Sequence, residues 1–207
     1  MIFGMIGAGT LSQAVASHPL KAGHEVIFSN SRGPATLTEL VARLGRGASA
    51  GTVAQAGEAD FVVLATTWSR VRNALDMLPP RPGRILIDAT NQWADPPPAA
   101  VLDVLDVGGS ELVASLRPEA HVIKAFDNLY GPVIATDPAT PMGRRILFYA
   151  GDEADAKRRF RTVVEDFGYA PVDLGALRMG RLMQVGDGPL TGLHAIREDI
   201  PHPVGMM

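Results

Sequence analysis

Short apolar runs alternate along this chain with stretches whose apolar residues recur every three or four positions. Ile2 to Gly7 is a continuous apolar run closed by glycine, the pattern of a buried strand. Leu11 to Ala22 follows as a helix, with Gly23 behind it, and His24 to Phe28 predicts a second strand. Pro34 opens a helix whose Leu37, Leu40, Val41 and Leu44 form one stripe, and Gly45 ends it. A short third strand is expected near Ala48 and one or two helical turns over Val53 to Gly57. Phe61 to Ala65 reads as a strand covered on both faces, because nothing in it alternates. Val71 to Leu78 is helical, and Pro79, Pro80 and Pro82 break the chain after it. Arg84 to Ile87 and Val122 to Phe126 give the fifth and sixth strands.

A long connection separates those last two strands. It holds Asp95-Pro96-Pro97-Pro98, expected as a loop, and a helix from Ser110 to Leu116. A segment rich in Gly, Pro and Thr runs from Phe126 to Gly143, long enough to suggest function. Strand Ile146 to Ala150, helix Asp152 to Phe167 and strand Ala170 to Leu174 close the pattern. The alternation predicts an α/β fold, a Rossmann-type doubly wound and mostly parallel sheet with a small C-terminal α/β extension. The expected division is a nucleotide-binding domain over residues 1–130 and an extension with tail over residues 131–207. From Gly186 the tail carries Pro189, Pro201 and Pro203 and is expected to lie across its own domain or a second subunit, which suggests a homodimer.

Composition narrows the classes. The chain has 207 residues, 46% hydrophobic and 20% charged, the profile of a globular protein with a full core. A net charge of −3 gives no broad attraction to nucleic acid or an anionic membrane. With no cysteine, disulfides, thiolate catalysis and cysteine-ligated metal sites are excluded. No apolar run approaches the roughly 20 residues of a membrane span. The N-terminus reads straight into a strand, without a basic segment or cleavage site, so a cytoplasmic location is expected. The histidines show no metal-ligand spacing, and no metal is expected.

The most informative motif is Gly7-Ala8-Gly9-Thr10-Leu11-Ser12, between the first strand and first helix. Gly7 suits the tight turn. Gly9 lets the backbone approach a pyrophosphate resting on the helix N-terminus, beside Thr10 and Leu11. Ser12 stands where a third glycine is usual. The second strand ends in Ser29-Asn30-Ser31-Arg32-Gly33-Pro34. An NAD-specific site places an acid there for the ribose hydroxyl. Here Ser29, Asn30, Ser31 and Arg32 suit a 2′-phosphate instead, so NADP(H) is the expected cofactor.

These segments, with Asp60-Phe61-Val62-Val63-Leu64-Ala65, Ile87-Asp88-Ala89-Thr90-Asn91, Val122-Ile123-Lys124-Ala125-Phe126, Gly143-Arg144-Arg145 and Ala150-Gly151-Asp152, resemble the F420H2:NADP+ oxidoreductase-like family. The resemblance covers nearly the whole chain. It implies a Rossmann domain, usually dimeric, that moves a hydride between NADP(H) and the deazaflavin F420. Related domains pass electrons to FMN or FAD in membrane metalloreductases. The chain departs from the family pattern at Thr66-Thr67-Trp68, where proline usually follows the strand, and at Asp127-Asn128-Leu129, where Asn-Thr-Ile is usual. Both departures fall at strand C-terminal ends, where ligands bind in open α/β sheets.

Hydride transfer to a flavin-like ring asks the protein for geometry more than for acid–base groups. Ala65, Thr66 and Trp68 after the fourth strand, and Thr90 and Asn91 after the fifth, are expected to line the cofactor. Lys124 sits in an apolar strand, and Tyr130 follows it. Lys124 either polarises an acceptor carbonyl or pairs with a carboxylate such as Asp88. Tyr130 is a candidate proton donor to a carbonyl or imine. Arg144, Arg145, Arg178 and Arg181 either meet the anionic tail of F420 or form a solvated surface. Three readings follow: an NADPH-dependent oxidoreductase with F420 or a flavin as partner, a reductase of small carbonyls or imines, and a noncatalytic NADPH sensor. In the first two, the acceptor sits among the segments after the fourth, fifth and sixth strands, with the C-terminal tail as lid or partner contact.

Overall fold

The computed structural model of the protein describes residues 1–92, 108–185 and 188–198. The expected Asp95–Pro98 loop, the start of the tail at Gly186 and its last residues lie outside the described residues.

Six parallel strands form the centre: β1 (Ile2–Ile6), β2 (Glu25–Ser29), β3 (Ala48–Ala50), β4 (Phe61–Leu64), β5 (Ile85–Asp88) and β6 (His121–Ala125). They lie in the order β3-β2-β1-β4-β5-β6, the doubly wound arrangement whose strand order reverses beside β1. The register is in step across the middle: Gly4 pairs with Val62, and Asp88 with Lys124.

Helices cover both faces. α1 (Thr10–Lys21), α2 (Thr38–Leu44) and the later α7 (Ala154–Asp166) pack on one side, where Val15 and Phe160 meet Phe3, Met5 and Phe61. α3 (Val53–Gly57), α4 (Val71–Asp76) and α5 (Gly109–Leu116) cover the other, where Val53, Leu75 and Val113 meet Val62, Leu64 and Leu86. That double cover explains why β4 and β5 are apolar without alternation. α7 buries Ala156, Phe160, Val163 and Val164, one stripe at helical spacing. Burying a side chain the size of Phe160 contributes roughly 1.5–3 kcal/mol. α3 lies so close to β1 that a Cβ on Gly4 would stand 1.8 Å from the Ala56 carbonyl oxygen.

Several elements differ from expectation at their ends. Pro34 opens a turn of 3-10 helix, Pro34–Leu37, before α2 begins. Another such turn, Trp68–Arg70, precedes α4. The stretch after β6 carries a short helix, α6 (Gly131–Ile134), and β7 (Ala139–Thr140). β8 (Gly143–Gly151) starts earlier than its apolar core suggested and runs antiparallel to β6. β9 (Ala170–Asp173) pairs parallel with β8, and a 3-10 segment, Leu177–Met183, follows it. In the described part of the tail, β10 (Ile196–Arg197) pairs with the first half of β8, so this stretch packs on its own domain. His18, buried in α1, meets the Ile134 carbonyl at 2.7 Å and the Tyr169 hydroxyl at 2.9 Å, tying α1 to α6 and to the residue just before β9. Burial lowers its pKa.

Candidate active site

A cleft of about 1070 Å³ opens along the C-terminal ends of the parallel strands. Its floor at one end is the turn from β1 into α1. Gly7 has φ +111°, and a Cβ there would stand 2.1 Å from the Ala65 carbonyl oxygen, so this turn tolerates no side chain. α1 has no side-chain cap and no acid in its first turn, and a Cβ on Gly9 would meet nothing within 4 Å. The helix therefore presents its positive end, through Gly9, Thr10 and Leu11, to open space. Ser12 lies beneath this surface, where its hydroxyl donates to the Gly7 carbonyl at 2.7 Å and braces the turn.

Beside it, the loop after β2 brings Asn30, Ser31 and Arg32 to the cleft. Asn30 shapes this loop: its side-chain oxygen accepts from the Arg32 amide at 2.9 Å, and its amide donates to Thr36 at 2.9 Å. Ser29 is buried and donates to the Met5 carbonyl, so its hydroxyl does not face the cleft. A second arginine completes this wall. Arg43 reaches back from α2 to donate to Gln13 Oε1 at 2.8 Å, while the Gln13 amide donates to the Ala8 carbonyl. Glu39 contributes one opposing charge among Arg32, Arg43 and Arg70 on the lining.

The other end is built after β4, β5 and β6. Ala65, Thr66, Thr90, Asn91 and Tyr130 line it, as does Asp127-Asn128. Trp68 is buried instead in the core between α4, α5 and the sheet. Asn91 acts as a clamp: its oxygen accepts from the Val185 amide at 2.9 Å and its amide donates to the Asp127 carbonyl at 2.9 Å. The Gly192 amide donates to the Asn128 carbonyl at 2.7 Å, so the C-terminal segment lies across this end. Tyr130 stands on the rim with 71% of its surface exposed.

Lys124 points away from the cleft, into the layer beneath it. The parallel register sets Lys124 beside Asp88, and its ammonium lies 3.4 Å from Asp88 and 3.2 Å from Asp127. It also donates to the Thr90 carbonyl. The pairing with Asp88 is one of the two roles the sequence offered for it. Burial works against the Lys124 charge, but Asp127 and Asp88 outweigh it and hold its pKa above the ordinary lysine value. Asp88 is well served, receiving the Thr90 amide and hydroxyl at 2.9 and 2.6 Å and the Ser110 hydroxyl at 2.5 Å.

The family model for "NADP oxidoreductase coenzyme F420-dependent" matches residues 2–92, which hold the turn, the β2 loop and β4–β5. The crystal structure of the hypothetical protein SMa0349 from Sinorhizobium meliloti is 33% identical, with a TM-score of 0.84 and 96% of each chain covered. The chain belongs to this family of NADP-dependent oxidoreductases. A candidate F420-dependent NADP-reductase from Arthrobacter sp. FB24 shares the fold at 24% identity, with a TM-score of 0.70 over 85% of this chain and 84% of that one. Metalloreductase STEAP3 of Rattus norvegicus is 26% identical over 179 residues, 86% of this chain. The chain spans only 34% of that curated relative's length.

Within this family frame, two features of the cleft are not legible in the sequence. Arg43 follows Leu40 by one helical turn, so its place beside the stripe was visible, but its reach to Gln13 was not. The sequence predicts Asp127 to face the acceptor pocket, but its pairing with Lys124 three positions earlier leaves no signal in the pattern. Nor do all the arginines considered for an anionic tail face the cleft. Arg145 is buried and donates to the Val133 carbonyl and the Thr136 hydroxyl, and Arg181 pairs with Glu111. Among the described residues, no helix is long and apolar enough to cross a membrane.

Proposed function

We propose that this protein binds NADP(H) in the cleft and transfers a hydride between it and F420 or a flavin-like acceptor. The observation that carries the reading is the pairing of an uncapped α1 N-terminus with the Arg32–Arg43 wall beside it. The first suits a pyrophosphate. The second suits a 2′-phosphate, with Ser31 and the Asn30-braced loop adding donors. NADPH, when bound, supplies the hydride. The chain orients it: Ala65 and Thr66 form the wall after β4, and the segment after β6 faces them across the cleft. The C-terminal segment clamped by Asn91 limits water at that end, and exposed Met77 and Tyr130 give the rim an apolar surface for a planar ring.

The alternative is reduction of a small carbonyl or imine. Tyr130, on the rim with its hydroxyl at the acceptor end, favours it. A homodimer is proposed as well, from the proline-rich tail. Light scattering at micromolar concentration is expected to give twice the chain mass, and a monomer would remove that proposal. Spectrophotometric oxidation of NADPH against F420, FMN, FAD and a panel of carbonyls tests the main reading. Turnover with F420 or a flavin is expected. Turnover confined to the carbonyls would favour the alternative, and tight NADPH binding without any turnover would favour a sensor.

A further inference from the structure

The buried charges beneath the acceptor end do not balance. Lys124 contributes one positive charge, and Asp88 and Asp127 two negative ones, all with side chains nearly or wholly hidden from solvent. Among the described residues, the elements packed around the group add no charge in contact with it: α5 contributes the Ser110 hydroxyl to Asp88 and pairs its Glu111 with Arg181 of the 3-10 segment, whose Gly180 packs on the Lys124 stem. A neutral cluster therefore holds one extra proton. Asp88 has four donors and no reason to take it. Asp127 has only the Lys124 ammonium at 3.2 Å, and among the described residues neither of its carboxylate oxygens makes a well-formed hydrogen bond with another side chain. The backbone marks the same spot. Phe126, directly before Asp127, has φ +66°, the only positive φ outside glycine among the described residues. A left-handed backbone is strained for a residue with a Cβ, and such strain collects at functional sites. The side-chain amide of Asn128 is buried at 2% exposure and lacks partners on both of its atoms among the described residues, so this end of the cleft is polar and unsatisfied.

We propose that Asp127 stores, at the buried acceptor end of the cleft, the proton that accompanies hydride transfer, with Lys124 as its positioning residue. This rests on the reading of the cleft as the NADP(H) and acceptor site. Asp127 releases its proton to the acceptor atom that gains negative charge as the hydride arrives from NADPH. NADPH leaves as NADP+, the acceptor leaves reduced by two electrons and protonated, and the carboxylate recovers a proton from solvent. Burial pushes the Asp127 carboxyl up to about 7, against the pull of Lys124 and with Asp88 adding to the rise. The group is therefore able to give and regain a proton at neutral pH.

Infrared difference spectra of the full chain, titrated without cofactor, test the storage directly. The carbonyl band of a protonated carboxyl is expected at pH 5.5, fading around pH 7 and missing from Asp127→Asn; a spectrum with no such band in the unmutated protein would overturn the proposal. The transfer is read from NADPH oxidation with F420 across pH. The unmutated enzyme is expected to lose rate above about pH 7 with a one-proton slope. Asp127→Asn should be about 10²-fold slower with that slope gone, and Asp127→Glu should restore part of both. An unchanged pH profile in Asp127→Asn would reduce the residue to a structural one. If NADPH binds but neither F420 nor FMN turns over, the reading of the acceptor fails, and the infrared titration still decides whether Asp127 holds the proton.

Discussion

The two ends of the cleft are built differently. Around the β1–α1 turn and the β2 loop, the polar side chains have defined partners: Ser12 on Gly7, Ser29 on Met5, Asn30 on Arg32 and Thr36, Gln13 on Ala8 and Arg43. What remains open is backbone N–H and guanidinium, a ready receptor for phosphate. At the ends of β5 and β6, Asp127 and Asn128 are buried with unsatisfied atoms, next to a strained Phe126. The first end is preorganised for a ligand of fixed chemistry. The second keeps groups in a costly state, as sites that must change protonation do. A specific cofactor and a less defined acceptor fit that contrast.

The contrast can be broken hardest at Lys124. Lys124→Met leaves two carboxylates buried beside each other, and should cost about 3–5 kcal/mol in urea unfolding at pH 8. The loss should be smaller at pH 5.5, where Asp127 carries a proton. An equal loss at both pH values would mean that Asp127 does not take the extra charge.

Asp127→Asn sharpens the same point. An unfolded aspartate titrates near 3.9 and the folded one at about 7, so between those values the folded state binds the extra proton. Its stabilising effect is full below the lower value and fades as pH rises through the window. His18 works the other way, since its lowered pKa removes stability as pH falls. The comparison with Asp127→Asn isolates the carboxyl: the variant should match the unmutated protein below about pH 4 and exceed it by roughly 2–4 kcal/mol at pH 8. Parallel stability curves for the two proteins would contradict this.

At the other end the effects are smaller and fall on ligand affinity. Arg32→Ala should weaken NADPH about tenfold, or ~1.4 kcal/mol, and leave NADH nearly unchanged. Arg43→Ala should weaken NADPH too, because both guanidinium groups line the wall; calorimetric titration checks both. An NADPH affinity that survives the paired substitution would place the 2′-phosphate elsewhere. Asn91→Ala should have the smallest effect, about 1 kcal/mol of stability, by freeing Val185 and the Asp127 carbonyl. Faster amide exchange at Val185 is its signature.

The sheet, its order and the phosphate-facing turn were legible because each rests on local chemistry. Gly7 reads from its place after an apolar run, and β4 and β5 from unbroken burial. The β2 loop was legible by what it lacks, an acid. The cleft's second end was not, because it depends on register and on long-range contact. Lys124 meets Asp88 through sheet pairing across 36 residues, and Val185 meets Asn91 across 94. Ser12, Ser29 and Trp68 sit in the right segments with side chains turned inward, which periodicity in a short turn cannot resolve. The α6, β7 and β10 elements are too short to leave a pattern.

Parallel titrations of the unmutated protein with NADPH and NADH, at fixed low salt, test the central claim most directly. The phosphate-binding wall beside the α1 N-terminus predicts a Kd for NADPH roughly 10- to 150-fold below that for NADH, a gap that narrows as salt rises. Equal dissociation constants for the two cofactors would contradict the account.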